Sequence, residues 1–400
     1  MIFIRIFLRL IFAVSWRLLF KATFLWGAKG FFAIRAFKKR LKRNELFPPF
    51  LFFSLTNACQ LRCRGCWVSQ QTEPDYLPIE TIEKAIQDGQ KQSVYFYTLL
   101  GGEPFLAPTF WDIIEKHSEA YFQVITNGHF FDAETVARLK KCGNVTPLVS
   151  IDGFRDDNDA RRGAGTYDTA IDGCRELQKR KMFYGIATTV TAQNFDGVLT
   201  EEYVRHFIGL GASYLWFYAY RPVGADPTPE LALDETKMLE FRKRLLDLRR
   251  AMPIILIDTY WDAQGRAVCP ASKGMAFQIG PKGSVEPCPP LTVAMDYISG
   301  DTDLFRTINE SDFLARFMKF VKRKFNDDSQ GCVILEHPKE LAAFFRKEKA
   351  DDLSNRDFLN ELETATPKVS HFLPGKEQPE TLWGYAVLKK MLFFGMSGYG

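Results

Sequence analysis

From residue 51 onward, short runs of consecutive apolar residues alternate with longer segments in which apolar residues recur every three or four positions. The short runs are Leu51–Leu55, Val94–Leu99, Phe122–Ile125, Leu148–Ile151, Tyr184–Val190 and Tyr214–Tyr218, and they read as buried strands. Between them, Pro78–Gln90, Phe110–His117, Ala133–Lys141, Tyr167–Lys179 and Glu201–Ile208 read as helices, and Pro78 suits a first helical turn. Strict alternation of strand and helix predicts parallel strands with helical crossovers, hence an α/β fold. Six such units predict an open, partial (β/α)6 TIM-like barrel. After Tyr220 the rhythm changes. RPVGADPTPE reads as a loop, Leu233–Arg250 as a charged amphipathic helix, and 254–300 as short strands and turns, a small α+β extension. Leu382–Phe394 is again apolar and aromatic, with a Lys389-Lys390 pair, and fits either a docked C-terminal helix or a second membrane contact. The expected organisation is an arm over 1–47, a barrel over 48–225, an extension over 226–345 and a helical tail over 346–400.

The segment before Pro48-Pro49 follows a different pattern. Phe, Leu, Ile and Trp fill much of it, interrupted by the i,i+4 pairs Arg5/Arg9 and Arg17/Lys21. No small-residue cleavage site follows a compact apolar run, which argues against a secretory signal. The best window for a spanning helix, Leu10 to Ala28, holds Arg17 and Lys21 near its middle, each costing roughly 2.5–3.5 kcal/mol at a bilayer centre. The expectation is an amphipathic helix lying in a membrane interface, with Lys38-Lys39-Arg40 and Lys42-Arg43 against anionic headgroups. The alternative is an arm packed on its own domain or on a partner.

Charge divides the chain at the same place. Residues 1–44 carry eleven Lys/Arg and no Asp or Glu, so the overall net charge of +4 leaves −7 for residues 45–400. An acidic body is a poor general binder of nucleic acid, and no nucleic-acid partner is expected. Twelve of the 36 Phe lie in the first 53 residues. With 46% hydrophobic residues and no low-complexity tract, the chain is neither disordered nor collagen-like.

Eight cysteines in 400 residues are too few for a disulfide scaffold. Three fall in Cys59-x3-Cys63-x2-Cys66, directly after the first strand, with no fourth Cys or His nearby. Structural zinc takes four protein ligands, whereas three thiolates suit a [4Fe–4S] cluster with one iron left open. Chemistry-bearing turns then follow the later strands: Gly101-Gly102-Glu103-Pro104, Thr126-Asn127-Gly128, Ser150-Ile151-Asp152-Gly153 and Thr188-Thr189-Val190-Thr191. Active sites of barrel folds gather at such strand ends.

This order of motifs over residues 51–220 resembles the radical S-adenosylmethionine (radical SAM) superfamily. The resemblance implies a cluster on Cys59, Cys63 and Cys66 whose open iron chelates S-adenosylmethionine. It gives Glu103, with Gly101, Gly102 and Pro104, to the methionine amino group. It places Thr126, Asn127, Ser150 and Asp152 along the ribose and sulfonium, Arg162 at the carboxylate and Thr188 in the adenine pocket. One departure stands out: the family often has a bulky residue before the third cysteine, where this chain has Gly65, with Trp67 following Cys66. Cys269-Pro-Ala-Ser-Lys-Gly274, then Pro287-Cys288, resembles a SPASM or shortened twitch extension. With Cys332 as third ligand it implies an auxiliary [4Fe–4S] cluster. Cys142 and Cys174 read as core residues.

By that resemblance, reductive cleavage of S-adenosylmethionine yields a 5′-deoxyadenosyl radical that removes a hydrogen atom from substrate, with electrons from a flavodoxin- or ferredoxin-type donor. The arm points to a small-molecule, lipid or isoprenoid substrate and to a cytoplasmic enzyme, peripheral on the inner face of the membrane. A peptide- or protein-modifying maturase is the alternative. A non-catalytic, membrane-bound iron–sulfur carrier or sensor is the third reading, disfavoured because a carrier needs no amino-acid-shaped pocket.

Overall fold

The computed structural model describes residues 2–68, 73–325 and 329–391. The N-terminal segment forms helices α1 (Ile2–Ala13) and α2 (Trp16–Lys21), a π-helical turn over Ala22–Ala28, and α3 (Lys29–Leu41). The barrel follows as β1 (Leu51–Thr56), α4 (Ile79–Lys91), β2 (Phe96–Gly101), α5 (Phe110–Lys116), β3 (Tyr121–Thr126), α6 (Ala133–Cys142) and β4 (Val145–Ser150). It continues through α7 (Arg155–Arg162), α8 (Thr166–Lys179), β5 (Gly185–Val190), α9 (Phe195–Val198), α10 (Glu201–Gly209) and β6 (Tyr214–Ala219). Then come α11 (Glu235–Ala251), β7 (Ile255–Ile257), β8 (Gln278–Ile279), β9 (Val285–Glu286) and β10 (Val293–Ala294). The chain ends with α12 (Leu304–Glu310), α13 (Asp312–Lys324), α14 (Val333–Glu336), α15 (Pro338–Glu348), β11 (Asp351–Asp352), α16 (Phe358–Thr364) and α17 (Trp383–Met391).

All six expected strands form, and β1 to β6 pair in sequence order, each parallel to the next. The sheet is longer than expected. The stretch after Tyr220 adds β7 parallel to β6 at one edge and β8 parallel to β1 at the other, with β9 antiparallel beyond it. Local chemistry sets the helix limits. Asp132 accepts from the Thr135 amide at the start of α6, and Gly143, left-handed at φ 73°, closes its end. Pro78 stands just before α4 as its cap residue, one place earlier than expected. The charged segment RDDNDARR has no apolar periodicity to betray α7, yet it is helical. The packing of α4 on the sheet follows its pattern, with Ile82, Ala85 and Ile86 fully buried.

The N-terminal segment covers the base of the barrel, where the strands begin. Trp26 stacks on Phe96 and Tyr121 at ring-centroid distances of 5.7 and 6.1 Å and meets Tyr214 and Phe183, each at 5.7 Å. Several cations of the expected interfacial helix, and Arg40 of the cluster expected at headgroups, instead bind backbone carbonyls. Arg9 donates to Pro253 O at 2.8 Å, Ala212 O at 2.7 Å and Ser213 O at 3.1 Å. Arg17 and Lys21 reach Lys140 O and Cys142 O, at the C-terminal end of α6, where the helix dipole favours positive charge. Arg40 is buried and donates to Gln92 O at 2.8 Å and Phe47 O at 3.0 Å. Unpaired carbonyls at helix ends and strand entries thus claim these side chains, and the packed-arm alternative describes the inner face. Among the described residues no helix is long and apolar enough to cross a membrane.

The C-terminal helix is docked. Lys389 and Arg249 are fully buried on Asp258, Arg249 Nη1 also meets Glu380 at 2.6 Å, and the Tyr385 hydroxyl accepts from the Leu256 amide at 3.1 Å. The last residues of the expected 382–394 helix lie outside the described residues.

Candidate active site

The first cysteine loop leaves β1 at Thr56 and is tied back by backbone bonds to the turn after β2. Gly102 N donates to Thr56 O at 2.7 Å and Glu103 N to Ala58 O at 2.8 Å. A side chain at Gly101 or Gly102 would overlap those carbonyls, and Gly101 sits at φ 128°. These glycines therefore let two loops meet, rather than only letting a ligand approach. One cavity of about 350 Å³ runs from the strand ends down the barrel to Phe50 and Phe96 near the strand starts. Cys59, Cys63 and Cys66 line it, and so do Cys269, Cys288 and Cys332. Sequence alone could not show that both cysteine sets face one chamber, because the extension folds back from more than 200 residues away.

Burial raises the thiol pKa of Cys59 and of Cys269 to about 11 each, and it raises those of Cys66 and Cys288 too. Neighbouring thiols raise them further within each set. Such thiols ionise readily only beside strong positive charge, which iron supplies. Among the described residues no three Cys, His, Asp or Glu side chains converge on one metal ion. A four-iron cube instead takes one thiolate per iron, so its ligands surround it. The residues present therefore fit clusters of that kind.

The other expected residues divide by which way they face. Gly101, Gly102, Thr126, Asn127, Ser150 and Arg162 line the cavity. Asn127 bridges to the first set, with Nδ2 4.0 Å from Cys59 Sγ. Glu103 is fully buried just behind the wall, accepting from Asn127 N at 2.8 Å, Thr126 Oγ1 at 2.8 Å and Phe105 N at 3.3 Å. Burial pushes its pKa up to about 7 against those bonds. Asp152 also lies behind the wall, where it accepts from Arg161, from Arg162 Nε at 2.6 Å and from Thr189 N at 2.7 Å. Burial raises its pKa, but the two guanidiniums outweigh that and hold it at about 2. Asp152 thus positions two arginines that reach the cavity. Pro104 starts a short 3-10 turn and is not part of the lining.

Thr188 does not face the cavity, contrary to the adenine-pocket expectation. Its hydroxyl points to Ile151 O at 2.9 Å and the Tyr203 hydroxyl at 2.8 Å, away from the cavity, while Ala187 and Thr189 face in. Side chains alternate along a strand, and TTVT gave no sign of which face each occupies. Cys174 is buried as expected, whereas Cys142 is only half-buried, beside the N-terminal segment. The cavity also holds residues the motifs did not suggest. Tyr220 fills the space that a side chain at Gly65 would need, and its hydroxyl donates to Pro227 O at 2.6 Å. Gly65 itself was the signal, since an expected bulky residue was missing there. Arg161 also lines the cavity, and Arg221 enters it from just after β6. Arg221 Nε lies 3.2 Å from Cys332 Sγ.

Residues 53–206 match the family model described as the radical SAM superfamily. A radical SAM superfamily domain thus spans residues 53–206 of this chain. Members of the superfamily use a [4Fe–4S] cluster and S-adenosylmethionine, and this chain resembles those with SPASM or twitch extensions. It is 31% identical over 190 residues to the mycofactocin maturase MftC of Mycobacterium tuberculosis, covering 46% of this chain and 48% of that one. It is 28% identical over 233 residues to the Fe-coproporphyrin III synthase of Methanosarcina barkeri, covering 54% and 56%. The chain thus spans about half the length of these curated relatives. Among solved structures it is similar to Streptococcus suis SuiB bound to the precursor peptide SuiA, with a TM-score of 0.58 and 17% identity. That likeness covers 70% of this chain and 69% of SuiB, and it shows a shared fold.

Proposed function

We propose that this chain is a radical SAM enzyme acting on a peptide or protein, with a second, auxiliary cluster beside the site of reaction. The observation that carries this reading is the single cavity onto which both cysteine sets open. Cys59, Cys63 and Cys66 would hold the first cluster, and Cys269, Cys288 and Cys332 the second. When bound, the first cluster and S-adenosylmethionine supply a reductively generated radical that takes a hydrogen atom from substrate.

The chain's own residues do the rest. Glu103, buried and poised near neutrality, gains a partner when an ammonium group arrives at the Gly101-Gly102 wall. Arg162, held by Asp152, presents a guanidinium fork suited to a carboxylate. Trp67, Trp216, Tyr218 and Tyr220 supply apolar walls that displace water from the reacting bond. A reducing donor completes the system.

A peptide substrate replaces the lipid expected from the arm. MftC is named as a maturase, and SuiB was solved with a precursor peptide bound. The arm, which prompted the lipid reading, packs where the strands begin, at the opposite end of the strands from the cysteine loop that follows β1. The test is anaerobic incubation of reconstituted chain with dithionite, S-adenosylmethionine and peptides encoded beside its gene. Mass spectrometry should find a modified peptide, with 5′-deoxyadenosine formed above the peptide-free level. Stimulation by a lipid extract or a porphyrin, with none by peptides, would overturn the assignment.

A further inference from the structure

The N-terminal segment carries two apolar stripes, and the barrel uses only one. On α1, Ile6 and Leu10 are buried against the barrel base. Ile4, Phe7, Leu8, Ile11 and Phe12 recur at i, i+3, i+4, i+7 and i+8 on the other side and remain exposed. Trp16, Phe20 and Phe24 extend this outer stripe, with Trp16 79% and Phe12 75% exposed. The Phe3 ring lies 6.4 Å from that of Trp383 on α17, which is 77% exposed. At about 200 Å² per large side chain the exposed stripe amounts to roughly 1,000 Å². A typical monomer's largest apolar patch is about 300–600 Å².

We propose that this face docks on the surface of an anionic lipid bilayer. Residues 1–44 contain no Asp or Glu, and Arg5, Arg35, Lys39 and Lys42 are exposed on the same segment. Cations beside an aromatic stripe match the boundary between headgroups and acyl chains, where Trp and basic residues settle. A second copy of the same face fits poorly, because self-association would bring one unneutralised set of cations against another. The contact is interfacial, since no described helix can span. Docking in this way turns the strand starts towards the bilayer and the cysteine-lined end of the cavity away from it, so substrate reaches the cysteines from the aqueous side. This inference is independent of the peptide assignment.

The test is flotation of the full reconstituted chain with two kinds of vesicle, equimolar phosphatidylglycerol and phosphatidylcholine, or phosphatidylcholine alone, at about 0.1 M salt. The chain should float with the anionic vesicles and bind neutral ones at least about tenfold more weakly. The variant F7S/F12S/W16S/F20S should lose at least about tenfold of the anionic binding. Its melting temperature should be unchanged, because all four side chains face solvent. Brominated lipid should quench the fluorescence of the parent chain more than that of W16F. Equal flotation of parent and quadruple variant would overturn the proposal, as would no flotation of either. A dimer in light scattering that the quadruple variant abolishes would assign the face to a second copy and overturn it too.

Discussion

Replacing Asp152 with Asn tests how the cavity wall is held. Its carboxylate is fully buried and accepts from Arg161, Arg162 and the Thr189 amide. Neither arginine has another carboxylate partner among the described ion pairs. Its pKa is held at about 2 in the folded protein, from an ordinary value of 3.8. At about 1.36 kcal/mol per unit, that difference corresponds to roughly 2.5 kcal/mol of stability at neutral pH. A depressed carboxylate stabilises the fold above its unfolded pKa. The contribution is present above about pH 5 and is lost as pH falls through 3.8 towards 2. Asp152→Asn removes the charge and leaves two partly buried guanidiniums without a carboxylate, which should cost about 3 kcal/mol, the low end for a buried pair. Urea unfolding at neutral pH should show a loss of that size. Between pH 5 and about 2, the stability of the variant should fall by about 2 kcal/mol less than that of the parent. Isothermal titration with S-adenosylmethionine should show at least about tenfold weaker binding, because Arg162 is no longer held towards the cavity. A variant within 1 kcal/mol of the parent, with the same slope against pH, would show that the Asp152 charge does not hold the wall.

Other outcomes follow from the same geometry. Trp26→Ala opens the aromatic cluster at the barrel base and should cost about 3–5 kcal/mol in chemical unfolding. Gly65→Ala forces a side chain into a left-handed position already filled by Tyr220, so both melting temperature and 5′-deoxyadenosine yield should fall. Arg221→Met removes a buried cation beside Cys332. The potential of the second cluster in an electron-paramagnetic-resonance titration should become more negative at unchanged iron content. Replacing Cys269, Cys288 and Cys332 together with Ala should lower iron from roughly eight to roughly four per chain.

What could be read in advance depended on how local the signal was. Six strands and the first cysteine loop announce themselves in contiguous runs, and those runs fold as read. Facing is harder. A strand buried on both sides carries no polar alternation, so Thr188 and Thr189 were indistinguishable although only Thr189 meets the cavity. Partners distant in sequence are harder still. Arg9 read as half of an i,i+4 pair on an amphipathic helix, but its carbonyl partners lie 203 to 244 residues away. Arg17 finds its partners 123 and 124 residues away. The outer stripe of α1 was legible as apolar, yet only the fold shows that it survives packing uncovered. Tyr220 shows the converse. An aromatic ring absent from its expected place before Cys66 is supplied by the end of β6, which no spacing within the loop could reveal.

The central claim is that Cys59, Cys63 and Cys66 make this cavity a radical SAM active site. The most direct measurement is chromatographic detection of 5′-deoxyadenosine after anaerobic reconstitution, dithionite reduction and addition of S-adenosylmethionine. The parent chain should form it, and the C59A/C63A/C66A variant should form none. Equal traces from the two proteins would contradict the account.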